Sequence, residues 1–241
     1  MKASRLFCLG HRGAAGHEPE NTLRSVRKAM DLGAEGVEVD VHWVDNHLVV
    51  IHDNTLDRTT NGSGAVMEKS FAYLRSLDAG RGERIPMLGE VFEAVNRQAV
   101  INVELKGPGT ASPVVRLIDR YVQECGWRYE DFLVSTFDHA QIQTVKKLRP
   151  QIRTGALIKR VPAGLAAFAE QLGAWSLHPG KRCVTPELVA DAQQRGLKVL
   201  AFTINKPAEI AVMAALGVDG VFTDFPERVV TFLRSQNKIN R

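Results

Sequence analysis

The segment Gly36-Val37-Glu38-Val39-Asp40-Val41-His42-Trp43 constrains the fold more than any other part of the sequence. Side chains on a strand alternate between its two faces. Val37, Val39, Val41 and Trp43 therefore share one face, and Glu38, Asp40 and His42 share the other. Ala99-Val100-Ile101-Asn102-Val103-Glu104-Leu105-Lys106 repeats the pattern, with Asn102, Glu104 and Lys106 opposite an apolar row. Taken alone, such alternation fits an antiparallel sheet with one wet face. Its setting argues otherwise, because both stretches lie in a chain that alternates strand with helix, the order of a parallel sheet covered by helices. The apolar rows are then the helix-covered faces, and the carboxylates point inward. Two ionised carboxylates about 5 Å apart repel by about 3 kcal/mol at an effective dielectric of about 20. Three such pairs approach about 10 kcal/mol, comparable with the stability of a whole domain. Either the pKa values rise steeply or a cation sits among the acids. All-oxygen donors suit Mg²⁺, Ca²⁺ or Mn²⁺ rather than zinc, and a divalent-metal site is the favoured reading.

The rest of the chain supplies the rhythm. Strands are expected at Leu6–Gly10, Gly36–Trp43, Ala99–Leu105, Phe132–Ser135, Arg153–Ile158, Trp175–His178, Leu197–Thr203 and Gly220–Thr223. Helices fall between them, near 21–32, 88–95, 113–124, 138–148, 163–172, 185–195 and 207–216, with a last one after Pro226. Val44-Asp45-Asn46-His47 reads as a tight turn into an extra strand, Leu48–His52. Residues 53–86 break the rhythm and read as an insertion too short to bury its own core. Without the extra strand, a (β/α)₈ TIM barrel is the natural closure, one domain spanning 1–241.

Composition excludes several other classes. At 44% hydrophobic and 24% charged, the 241 residues can bury a sizeable core. The net charge of +4 is scattered, with no basic block, so nucleic acid is not an expected partner. Cys8, Cys125 and Cys183 are odd in number and widely spaced, which points to reduced thiols in a cytoplasm rather than a disulfide framework. No apolar run approaches a membrane span or anchor, and the oligomeric state stays open.

A barrel of this kind keeps its active site at the carboxyl ends of the strands, and the polar groups cluster there. His11 and Arg12 end the first strand, Glu38 and Asp40 the second, and Glu104 and Lys106 the third. Ser135 and Thr136, His178 and Asp224 end later strands, and the hairpin returns His52 to the level of the carboxylates. A cation with Arg12 and Lys106 makes an anion site suited to phosphate oxygens. Two histidines beside it suggest a general acid and a general base, since imidazole titrates near neutrality. Together these groups point to phosphodiester cleavage. The sequence has no G-x-S-x-G elbow, and Gly10–Gly16 is spaced like neither a Rossmann fingerprint nor a P-loop.

These residues also carry a resemblance. His11-Arg12-Gly13, Pro19-Glu20-Asn21-Thr22, Glu38-Val39-Asp40-Val41 and the run His52–Gly62 recur in this order in one family. So do Glu104-Leu105-Lys106, Ser135-Thr136-Phe137-Asp138, Thr203-Ile204-Asn205 and Gly217–Asp224. From Leu9 to about Pro226 the chain resembles the bacterial, cytoplasmic type of glycerophosphodiester phosphodiesterase. The resemblance implies metal-dependent hydrolysis of glycerophosphodiesters, small-molecule substrates, to glycerol 3-phosphate and an alcohol. It implies Glu38, Asp40 and Glu104 as metal ligands for Mg²⁺ or Ca²⁺, with Mn²⁺ as a further option, and His11 and His52 as the acid–base pair. Arg12 and Lys106 would bind the phosphate, Glu20 would lie beside the metal site, and Asn21 and Thr22 would cap the helix. Phe202 stands on a wall of the substrate cleft where the family more often has Trp, and His17-Glu18 replace small residues before Pro19. Two alternatives stay open: a cyclising barrel like phospholipase C or sphingomyelinase D, and a catalytically silent barrel that binds phosphorylated ligands.

Overall fold

The computed structural model describes residues 6–239, so 1–5 and 240–241 of the expected 1–241 span lie outside it. In chain order the strands are β1 (Phe7–Gly10), β2 (Gly36–Val44), β3 (His47–Val50), β4 (Val100–Leu105), β5 (Phe132–Thr136), β6 (Arg153–Ile158), β7 (Ser176–Pro179), β8 (Lys198–Ala201) and β9 (Gly220–Thr223). They form one nine-stranded sheet in the order β1-β9-β8-β7-β6-β5-β4-β2-β3. β1 also pairs in parallel with β2, through Leu9↔Gly36 and Gly10↔Val37, and this pairing closes the parallel strands into a barrel. Only β3 runs antiparallel, as the return of a hairpin from β2. The architecture is the expected (β/α)₈ barrel.

The helices are α1 (Leu23–Asp31), α2 (Phe71–Ser76), α3 (Leu88–Val95), α4 (Ala111–Glu124), α5 (His139–Leu148), α6 (Ala167–Gln171), α7 (Pro186–Gln194), α8 (Pro207–Ala215) and α9 (Pro226–Ile239). Their starts are written locally. Thr22 caps α1 by accepting the Ser25 amide, and Thr185 caps α7 by accepting that of Leu188, with Pro186 in the first turn. The β2–β3 turn is as tight as its residues suggest: Asp45 and Asn46 both take positive φ (48° and 60°), the pairing that matches strand twist in a two-residue hairpin. β3 stops at Val50, short of the expected Leu48–His52, although the Ile51 amide still donates to the Asp40 carbonyl at 3.0 Å. α2 lies within residues 53–86, where the sequence by itself suggests no helix. No helix among the described residues is long and apolar enough to cross a membrane.

Packing follows the alternation. Val37, Val39, Val41, Ile101 and Val103 are fully buried in the layer between sheet and helices. Leu9, Leu133, Leu200 and Phe222 fill the floor of the barrel interior. A third cluster joins Val44, Val49 and Ile51 of the hairpin to Leu56, Val66, Leu74 and Ile85 of the insertion. The insertion therefore packs on the hairpin that delivers His52.

The barrel interior is tight at Gly155 on β6, where an added Cβ would stand 2.4–3.0 Å from the His178 ring. That ring is fully buried and held by a bond between its Nε2 and Ser176 Oγ at 2.8 Å. Gly155→Ala is expected to destabilise the fold by about 1–3 kcal/mol through overpacking. A lower urea midpoint at unchanged slope would register it, and an unchanged midpoint would contradict it.

Candidate active site

Strand register assembles the acids. Asp40 lies directly opposite Glu104 across the β2–β4 ladder, and Glu38 lies opposite Asn102. All are buried on the inner face. One carboxylate oxygen from each of Glu38, Asp40 and Glu104 lies within 4.8 Å of the others. The loop after β1 closes over them. Arg12 takes a left-handed φ of 51°, which lets its amide donate to Glu38 Oε2 at 2.7 Å. Its Nη1 donates to Glu20 Oε1 at 2.7 Å, and its Nε stands 3.4 Å from Asp40 Oδ2. Lys106 Nζ donates to Glu104 Oε1 and lies 3.1 Å from Asp40 Oδ1.

The charges respond as electrostatics requires. Burial, then the charges of Asp40 and Glu104, push the Glu38 carboxyl well above its ordinary pKa. Burial and Asp40 also raise that of Glu104, although Lys106 opposes them. For Asp40, burial pushes upward too, but the positive charges of Lys106 and Arg12 outweigh it and hold the carboxyl below its usual value. Glu38 Oε1 is buried without a hydrogen-bond partner among the described residues. A cradle of hard oxygen donors with one unspent lone-pair set and an excess of negative charge is what a divalent cation fits.

Both histidines are seated on carboxylates. His11 Nδ1 lies 2.7 Å from Asp224 Oδ1, and His52 Nδ1 bonds Asp53 Oδ1. A carboxylate on Nδ1 holds the ring proton there and leaves Nε2 for other partners. Each carboxylate is held in turn. Asn205 donates to Asp224 Oδ2 and accepts the Asp224 amide at 2.9 Å. Arg58 donates to both oxygens of Asp53, at 2.6 and 3.0 Å, and to both oxygens of Glu20, at 2.7 and 2.8 Å. His52, Asp53, Arg58, Glu20 and Arg12 thus form one continuous chain. Arg58 and then His52 draw Asp53 well below the usual carboxylate range, and burial lowers the pKa of His52 despite the nearby acids.

Of the residues expected at the site, His11, Arg12, His52, Glu104, Lys106 and Phe202 line one cleft of about 590 Å³ at the carboxyl ends of the strands. Glu38 and Asp40 lie beneath it, nearly inaccessible. A larger groove, about 720 Å³, runs outside the barrel past Trp43, Glu90, Arg116 and Tyr121 and contains none of these groups. Other expectations are corrected. Asn21 does not cap α1; Thr22 alone does. Asn21 is buried, donates to Asp40 Oδ2 at 2.8 Å and accepts the Asp40 amide at 3.1 Å, so it positions an acid. His178 is not a rim group. Complete burial pushes its pKa down to about 3 and keeps it neutral inside the barrel. Ser135 Oγ accepts from Asn102 Nδ2 and Thr136 Oγ1 donates to the Leu105 carbonyl, both as interior hydrogen-bond plugs. The sequence reading missed Asn205 and Arg58 as supports and Lys159 as a lining residue. The first two stood in segments that carried the resemblance, and Lys159 gave no signal.

Comparison with known proteins agrees with this geometry. The chain matches the glycerophosphoryl diester phosphodiesterase family over residues 11–228. A glycerophosphodiester phosphodiesterase of Caldanaerobacter subterraneus subsp. tengcongensis is 37% identical, across 95% of this chain and 98% of that one. Another, from Bacillus altitudinis, is 35% identical across 92% and 96%. Among solved structures, an Oleispira antarctica phosphodiesterase in complex with the product sn-glycerol-3-phosphate superposes with a TM-score of 0.86 at 31% identity, covering 95% of this chain and 96% of that one. The chain belongs to the glycerophosphoryl diester phosphodiesterase family and is an enzyme of that kind, a hydrolase of phosphoric diesters.

Proposed function

We propose that the cleft over Glu38, Asp40 and Glu104 hydrolyses glycerophosphodiesters to glycerol 3-phosphate and an alcohol, using a divalent cation and the pair His11 and His52. The observation that carries this reading is the buried carboxylate triad flanked by two histidines, each with Nδ1 on a carboxylate. The product held by the Oleispira relative supports the same glycerol phosphate half for this chain. Glu38, Asp40 and Glu104 would hold the cation, Mg²⁺ or Ca²⁺ by their all-oxygen set, with Mn²⁺ also compatible. When bound, such an ion supplies positive charge to the phosphate oxygens.

The protein's own groups do the rest. Arg12 and Lys106 face the cleft from either side of Asp40 and provide donors for the non-bridging phosphate oxygens. One histidine takes at Nε2 the proton of the attacking hydroxyl, and the other delivers its Nε2 proton to the departing alkoxide. Asp224 and Asp53 keep each ring in the tautomer that allows this. Phe202 supplies an apolar wall. We further infer that the chain acts as one domain, because the insertion shares its apolar cluster with the β2–β3 hairpin.

Two experiments test the reading. Chelation is expected to abolish glycerol 3-phosphate release. Saturating metal should restore it and raise the melting temperature by about 5–10 °C, the shift for a ligand near one hundred times its Kd. Glu38→Gln should weaken metal binding in calorimetry. Full activity in excess chelator with no bound metal would exclude the metal role.

His11→Ala and His52→Ala should each lower kcat by about 10²–10⁴-fold with metal affinity nearly intact. A p-nitrophenyl diester needs no proton on its leaving group. It should rescue the variant lacking the acid and not the one lacking the base. Near wild-type rates for both variants on glycerophosphodiesters would overturn the paired mechanism.

A further inference from the structure

The far wall of the cleft carries a charge that the hydrolytic chemistry does not use. Around the closed sheet β6 lies four strands from β1 in either direction, and Lys159 follows β6 directly. It therefore overhangs the mouth opposite His11 and Arg12. Its Nζ stands 4.7 Å from the centroid of the Phe137 ring, and Phe137 meets Phe202 edge to face at 6.0 Å. All three line the same cleft as the histidines.

The other charged groups lining that cleft are committed. Asp53 is bonded to His52 and Arg58, Glu104 to Lys106, and Arg12 to Glu20. Lys159 makes no ion pair with a described residue, and the exposed Arg160 beside it adds charge of the same sign. An aromatic pair at such a mouth would by itself attract a quaternary ammonium through the negative faces of the rings. Here the Phe137 face already has an ammonium over it, so a second cation is repelled and an anion is drawn in.

We infer that Lys159 makes the cleft select glycerophosphodiesters whose alcohol half carries its own negative charge, such as a second phosphate, over those ending in choline. The inference rests on the reading of the cleft as the phosphodiester site and adds the class of its second substrate half. Lys159 overhangs the mouth on the wall opposite the histidines, so its effect belongs in KM rather than kcat. Being exposed to solvent, it should also weaken as salt rises.

The test compares kcat/KM for glycerophosphoinositol 4-phosphate, glycerophosphoinositol and glycerophosphocholine, read as release of glycerol 3-phosphate with metal in excess. Wild type should prefer the phosphorylated inositol ester at low salt, and the preference should shrink at high salt. Lys159→Glu should lower the ratio of phosphorylated inositol to choline ester by about tenfold, mainly through KM, because charge reversal removes one exposed attraction and adds one repulsion, each worth up to about fivefold. Lys159→Met should fall between the two. An unchanged ratio in Lys159→Glu, or a wild-type preference for choline, overturns the inference while leaving the phosphodiesterase reading intact. Failure of wild type to release glycerol 3-phosphate from all three overturns both.

Discussion

Three acids brought together at the mouth of the barrel govern this structure. Glu38, Asp40 and Glu104 converge because two neighbouring parallel strands run in register with their polar faces inward. Their mutual repulsion is answered on all sides. Arg12 and Lys106 supply positive charge, the Arg12 amide and Asn21 supply donors, and one oxygen of Glu38 has no hydrogen-bond partner among the described residues. The opposing pKa directions of Glu38 and Asp40 express that balance, since only Asp40 is close enough to both cations for their charge to outweigh burial.

The insertion gains a meaning from the same centre. It covers the outer face of the β2–β3 hairpin with apolar residues and sends Arg58 back to Asp53 and Glu20. His52 is thereby fixed from two directions, by the buried His42 ring beneath its carbonyl at 3.4 Å and by the Asp53–Arg58 pair on its Nδ1 side. Loops carry functional groups well when a rigid scaffold orients them. Here a short strand, a satellite core and a chain of ion pairs do that for one histidine, while Asp224 and Asn205, which follow the adjacent strands β9 and β8, do it for the other.

What could be read in the sequence was whatever a local period encodes. The alternation in Gly36–Trp43 and Ala99–Lys106 gave the inward acids. The strand–helix rhythm gave the barrel, and Asp45-Asn46 gave the hairpin turn. Other features had no local signature. α2 is a helix of six residues, too short for periodicity to announce it. Asn21 looked like a cap because it stands beside Thr22, yet its φ of 58° turns the side chain toward Asp40, nineteen positions away. His178 shares a face with strand-end residues, but a period of two gives the face and not the depth, and it lies sealed in the interior.

The sequence by itself determined which side chains face the barrel axis and which chemistry they bring, because strand alternation and residue type are local properties. Only the tertiary structure decided how they are paired. Asp224 reaches His11 across a separation of 213 residues, Lys159 overhangs the mouth from the opposite wall, and Arg58 joins two loops through Glu20. Such contacts depend on sheet closure, strand register and the depth of each residue. These are set by the packing of the whole barrel, which no stretch of sequence carries alone.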